Sequence, residues 1–92
     1  MAHLVTKLAS EFLGTFLLML IIMASGGNFL MIGLALGVIV FLTGGISGAS
    51  VNPAVSVGLW LSGTLSSTML AGYILAEVLG AVAAVYSYKV VA

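Results

Sequence analysis

Three long apolar stretches and one short one follow each other along the chain, and their lengths limit what it can fold into. The long stretches run over about residues 8–24, 29–43 and 66–88. At ~1.5 Å per helical residue, stretches of this kind predict helices that cross a hydrocarbon layer roughly 30 Å thick. The second stretch would reach only about 22 Å and needs help to cross.

Charge is nearly absent from the sequence, since 63% of the 92 residues are apolar and only 4% are charged. The charged residues are Lys7, Glu11, Glu77 and Lys89, and the net charge is zero. Soluble domains carry roughly 25% charged residues. We therefore expect an all-α integral membrane protein surrounded by lipid, and without a basic face we expect no nucleic-acid partner.

The residue types needed for metal binding or catalysis are missing. The chain has no cysteine and one histidine, His3, which we expect in a frayed N-terminus. It also has no aspartate, and no histidine stands near either glutamate. We therefore expect no metal site, no cofactor and no enzymatic activity.

The first apolar stretch has an alternative interpretation as a cleaved signal peptide, with Lys7 as its charged end and residues 12–23 as its apolar region. Glu11 would then stand at the head of the apolar region, and no clear small-residue cleavage site follows. A membrane span fits this segment better.

A glycine-rich, uncharged segment follows the second stretch, from Thr43 to Ser50. It is too rich in glycine for a regular helix and too apolar for a loop in water. Irregular backbone at membrane depth is tolerated only where protein or a water-filled cavity satisfies its polar groups. The segment therefore predicts a re-entrant loop beside a pore.

The short apolar stretch begins at Asn52 and Pro53, a typical N-cap followed by proline at the first helical position. Nine residues lead to Leu61, and such a helix is ~14 Å long, about half a membrane. Its N-terminus would carry the equivalent of roughly +0.5 charge at mid-depth. We therefore predict three transmembrane helices plus one re-entrant half-helix, with residues 44–61 forming the re-entrant part.

Small residues recur at helical spacing in two of the stretches. Gly72, Ala76, Gly80 and Ala84 recur every four residues in the last one, and Gly33 and Gly37 form a similar pair. Such stripes are typical of close packing between membrane helices.

Three motifs resemble those of the aquaporin and glycerol-facilitator (major intrinsic protein) family. Residues 45–56, GISGASVNPAVS, are similar to the first signature loop, and residues 11–15 and 73–81 are similar to the motifs of the first and third helices. The resemblance implies one half-repeat of a passive channel for water and small neutral solutes such as glycerol. The pore-lining loop residues that it implies are Gly45, Ile46, Ser47, Gly48, Ala49 and Ser50.

The resemblance also implies roles for single residues. Asn52, Pro53 and Ala54 would form one of the two NPA elements that meet at the channel centre. Glu11 would brace the signature loop by accepting hydrogen bonds from its backbone N–H groups, and Glu77 would assist as a second bracing residue.

The sequence departs from the family pattern in three respects. Family members usually carry two inverted halves in one chain, whereas this sequence contains one half. Glu77 stands where the family usually has an amide, which places a second ionisable group in the membrane. Val55 follows the NPA triplet, where the second repeat of typical members has a filter arginine.

A lone half-repeat needs a partner, and we expect an inverted homodimer, with four dimers forming an octamer by analogy with the family. Lys7 and Lys89 lie near opposite ends of three predicted spans, so the positive charges give no preferred orientation. We expect insertion in both orientations, in the cell (inner) membrane.

Two alternative functions remain open at this point. The chain could be a non-conducting membrane subunit, or a fragment or excised half of a longer channel. It could also be a dual-topology, proton-coupled antiporter that uses Glu11, because acids inside a membrane are often functional.

Overall fold

The computed structural model describes residues 2–92, and this part of the chain contains four helices and no strand. The helices are α1, Ala2–Ala24; α2, Phe29–Thr43; α3, Pro53–Leu61; and α4, Ser67–Val91. The prediction of an all-α protein is therefore confirmed. The expectation that His3 lies in a frayed terminus is wrong, because α1 begins at Ala2 and no helix-breaking residue separates His3 from the apolar stretch.

Side-chain caps fix where three of the helices begin. The side chains of Asn28, Asn52 and Ser66 accept hydrogen bonds from backbone N–H groups in the first turns of α2, α3 and α4. These bonds satisfy N–H groups that have no partner within the helix. At the end of α1, Gly27 adopts a φ of 80° and its N–H bonds to the carbonyl of Ile22 at 3.0 Å, which terminates the helix.

Helices α1 and α4 form the central pair of the structure. They approach closely because Gly80 lies directly against the backbone of Phe12, where any Cβ atom would collide with the Phe12 carbonyl oxygen. Gly72 lies against Leu8, and a Cβ atom there would come within 2.9 Å of the leucine Cδ2 atom. Helix α2 packs on α1, and α3 packs on α4.

Polarity is distributed in the opposite way to that of a soluble protein. Phe29 and Phe41 are 86% and 85% exposed, whereas Glu11 and Glu77 are both 0% exposed. The helical residues 3–24 and 67–91 are long and apolar enough to cross a membrane. With α2 shorter, at 15 residues, the bundle presents an apolar exterior and a polar interior.

Candidate functional site

Residues 44–52 connect α2 to α3, and we name this segment the NPA loop. Its backbone has an unfavourable conformation. It makes turns over residues 44–47 and then runs without regular structure to Asn52. Ala49 and Val51 have φ values of 51° and 41°. Positive φ is costly for a residue with a side chain, and most of all for a β-branched one. The surrounding structure must therefore hold this loop in place.

Glu11 of α1 accepts several of the hydrogen bonds that keep the loop in this conformation. Its Oε1 atom accepts the backbone N–H of Val51 at 2.7 Å, and its Oε2 atom accepts the backbone N–H of Ser50 at 3.2 Å. The hydroxyl of Ser47 donates to the same Oε2 atom at 2.5 Å. A carboxylate accepts several bonds of this kind, and hydrogen bonds to a charged group are the stronger ones.

Tyr73 of α4 also holds the NPA loop. Its hydroxyl donates to the carbonyl oxygen of Ser47 at 2.7 Å, and its side chain is 2% exposed. The sequence motifs did not mark Tyr73 as a site residue. A tyrosine in the middle of an apolar stretch was the available signal, because a buried tyrosine hydroxyl usually finds a partner.

Glu77 of α4 contacts the half-helix rather than the loop backbone. The hydroxyl of Ser56, in α3, donates to Glu77 Oε2 at 2.8 Å and to Oε1 at 3.1 Å. The hydroxyl oxygens of Ser56 and Ser50 lie 2.6 Å apart. Glu77 is thus connected to the NPA loop through two serine hydroxyls, and Ser56 is a site residue that the sequence motifs did not mark.

The NPA triplet lies at the exposed end of the NPA loop. The side chain of Asn52 is exposed, and its Oδ1 atom accepts the backbone N–H of Ala54 at 2.8 Å. Because the oxygen faces the helix, the amide N–H groups remain as donors. Pro53 is half-buried, and Ala54 and Val55 are exposed.

The six residues predicted to line a pore divide into two sets of three. Ser47, Ala49 and Ser50 are buried among the bracing groups, whereas Gly45, Ile46 and Gly48 are exposed.

Three cavities adjoin the NPA loop. One of about 530 Å³ is bordered by Ile46, Ser47 and Gly48, one of about 230 Å³ is bordered by Gly45 and Ile46, and one of about 210 Å³ is bordered by Asn52 and Pro53. The loop therefore extends from one open space to another.

The glycine pair of α2 is not part of this site. Gly33 and Gly37 are exposed, and within residues 2–92 nothing lies within 4 Å of a Cβ atom built on either one. Residues 2–92 also contain no group of three or more acidic, histidine or cysteine side chains that could hold a metal ion.

The site therefore joins an uncharged, irregular loop, two buried acids and an exposed asparagine at the start of a nine-residue helix. The sequence matches the model of the family described as Major intrinsic protein over residues 2–92. The chain belongs to the major intrinsic protein family. Members of this family are membrane channels and not enzymes, and family membership together with the two apolar helices indicates an integral membrane protein.

Curated relatives in the major intrinsic protein family include a glycerol facilitator and an aquaporin. The chain is 35% identical over 91 residues to Glycerol uptake facilitator protein-like 6 of Lactiplantibacillus plantarum, an alignment that covers 90% of the chain and 42% of the relative. It is 41% identical over 103 residues to Aquaporin Z of Brucella melitensis, covering 97% and 45% respectively. The chain thus spans less than half the length of each relative. No solved structure matches it significantly.

Proposed function

We propose that the chain is one half-repeat of a passive transmembrane channel for water and small neutral solutes such as glycerol. The observation that carries this proposal is the NPA loop, which is held by buried Glu11 and ends at exposed Asn52. An uncharged, irregular backbone inside an apolar exterior fits a water-filled path better than a lipid contact. The names of the two relatives point to the same solutes.

In this arrangement α1, α2 and α4 are the three spans and α3 is the half-helix. The 15 residues of α2 are short for a perpendicular crossing, and the re-entrant residues 44–61 complete the passage on that side. The exposed N–H groups of Asn52 and the positive end of α3 would then lie at mid-depth, where they attract the oxygen atom of water or of an alcohol.

A single half-helix covers only one half of the membrane, so a second copy in the inverted orientation would complete the pore. Inverted repeats related by a two-fold axis in the membrane plane are common among membrane transport proteins. Parallel copies would leave both half-helices on the same side. Four such dimers, forming an octamer in the cell (inner) membrane, follow the tendency of the family to form oligomers.

The site also indicates how selective the channel would be. Val55 is 46% exposed where a filter arginine would stand in a second repeat. Exclusion of ions would then rest on the two half-helix ends, because an arginine or positive helix ends are what exclude cations and protons in aquaporin-type pores.

Osmotic water flux into proteoliposomes tests the proposal. Flux should exceed that of empty liposomes, and Val55→Trp should reduce it strongly by placing a bulky ring beside the NPA triplet. The matched control is Val90→Trp, at an 86% exposed position near the end of α4, which should leave flux unchanged. Inserted, folded protein without flux above empty liposomes would contradict the proposal.

A further inference from the structure

Two buried carboxyl groups, those of Glu11 and Glu77, are connected to the NPA loop, and they accept hydrogen bonds from unequal numbers of donors. Glu11 accepts hydrogen bonds from three groups, the Ser47 hydroxyl and the N–H groups of Ser50 and Val51. Among residues 2–92, Glu77 receives its short hydrogen bonds from the Ser56 hydroxyl, and a second serine hydroxyl, that of Ser50, also interacts with it. A buried carboxylate needs compensation, and Glu77 has much less of it.

The two carboxyl groups are also connected through Ser50 and Ser56. Glu11 Oε2 accepts the N–H of Ser50, the Ser50 hydroxyl oxygen lies 2.6 Å from that of Ser56, and Ser56 bonds to Glu77. Carboxylate oxygens only accept hydrogen bonds, so Glu77 can donate to these hydroxyls only if it holds a proton.

Within the described part of the chain, the surroundings of Glu77 contain no positive charge that would replace this proton. Within residues 2–92, the groups that interact with Glu77 are Glu11 of α1, Ser50 of the NPA loop and Ser56 of α3, together with Tyr73 on its own helix, and no basic side chain is among them. Two adjacent negative charges in a dry interior repel each other strongly.

We propose that buried Glu77 carries a proton and that this proton holds the NPA loop in its conducting shape. The effect on conduction rests on the proposed channel function, whereas the position of the proton does not.

A proton on Glu77 sets the direction of the neighbouring hydroxyl groups. Glu77 then donates to Ser56, which donates across 2.6 Å to Ser50, and Ser50 donates to the carbonyl oxygen of Asn52 at 3.4 Å. When Glu77 releases its proton to water, the Ser56 hydroxyl turns to the carboxylate and the Ser50 hydroxyl turns to Ser56. The Asn52 carbonyl then loses the bond from Ser50.

The loss of this hydrogen bond affects the most strained part of the loop backbone. Ser50 stands between Ala49 and Val51, whose φ values are 51° and 41°. Repulsion between two ionised carboxylates, together with one hydrogen bond fewer at Asn52, releases a loop held in an unfavourable shape. Water flux is therefore expected to fall as the pH rises.

The flux test compares the parent chain with Glu77→Gln in proteoliposomes at acidic and alkaline pH. Glutamine has nearly the same shape and supplies a permanent N–H donor without a proton that can leave. Parent flux should fall several-fold at alkaline pH, while Glu77→Gln should keep the acidic-pH flux at both. A parent flux that does not change with pH, or a variant that keeps the pH response, would overturn the proposal.

Infrared difference spectra of the folded protein in lipid test the proton itself, without any need for conduction. The parent should lose the C=O stretching band of a protonated carboxyl group between acidic and alkaline pH, and Glu77→Gln should lack this change. If the band is absent from the parent, or the same change persists in the variant, Glu77 does not carry the proton. A chain that shows the band but no flux would contradict the channel function and leave the proton assignment intact.

Discussion

The backbone N–H of Val51 donates to Glu11 Oε1 at 2.7 Å, although the two residues are 40 positions apart in the chain. This bond joins a buried acid of the first helix to a β-branched residue at positive φ. The acid and the strained backbone depend on each other, because each satisfies a polar group that would otherwise be buried without a partner.

Glu11→Gln should destabilise the NPA loop. A carboxamide replaces one accepting oxygen with an N–H₂ group, which faces an N–H of Ser50 or Val51 and leaves a buried donor unpaired, at a cost of ~1–3 kcal/mol. Thermal unfolding in detergent and the loss of oligomer on heating measure the effect. Tyr73→Phe gives the comparison, because it leaves the Ser47 carbonyl oxygen unpaired at a similar cost of ~1–3 kcal/mol but presents no N–H₂ group to the loop N–H groups. Intact assembly of Glu11→Gln with altered pH-dependent transport would instead favour the antiporter.

Asn52→Asp should raise cation leakage through the proposed channel, since it would place a negative charge where the donor groups and the positive helix end would otherwise repel cations. Ion conductance of liposomes measures this directly. Asn28→Asp is the matched control, because Asn28 caps α2 in the same manner but lies outside the NPA loop. Equal ion conductance in the Asn52→Asp variant and the parent would argue against a central position for Asn52.

Gly80→Ala should disrupt the packing of α1 on α4, because the added methyl group would overlap the carbonyl oxygen of Phe12. Overpacking of this kind costs ~1–3 kcal/mol or more. Gly33→Ala is the matched control at an open position, where alanine should favour the helix by up to ~1 kcal/mol. Unfolding of both variants, followed by circular dichroism, checks the difference. Equal stability of the two would show that α1 and α4 do not approach as described.

Thr15→Val should leave the protein as stable or make it more stable. The Thr15 hydroxyl is buried and has no hydrogen-bond partner in residues 2–92. An unsatisfied buried hydroxyl costs ~1–3 kcal/mol, and valine has nearly the same shape without it. Ser56→Ala serves as the contrast, since it removes a hydroxyl that bonds to Glu77. A Thr15→Val variant that loses as much stability as Ser56→Ala would mean that the threonine hydroxyl has a partner.

The limits of α2 and α3 could be predicted from the sequence because local chemistry sets them. Asn28 and Asn52 begin these helices, and the glycine-rich segment ends α2. The predicted ends of α1 and α4 were less accurate. Hydropathy marks apolar residues, whereas α1 continues through His3 and Lys7, and α4 continues beyond Tyr88 to Val91.

Some of the contacts that brace the NPA loop could likewise be predicted from the sequence, and others could not. The contact of Glu11 with loop N–H groups followed from the resemblance and from the needs of irregular backbone. The Ser56–Glu77 and Tyr73–Ser47 contacts could not be predicted, since each depends on how closely α4 approaches α3 or the NPA loop. The sequence marks neither approach, apart from the small residues that permit α4 to pack tightly.

The central claim, an inverted pair of copies, is tested most directly by fixing the orientation of the chain. One variant receives three added lysines beside Lys7 and another receives three beyond Lys89, because positive charges favour the cytoplasmic side. Water flux is then measured with each variant alone and with both together. Each alone should conduct poorly, and co-expression should restore the flux of the parent. If either variant alone, shown to insert in a single orientation, conducts as well as the parent, the pore does not consist of inverted copies.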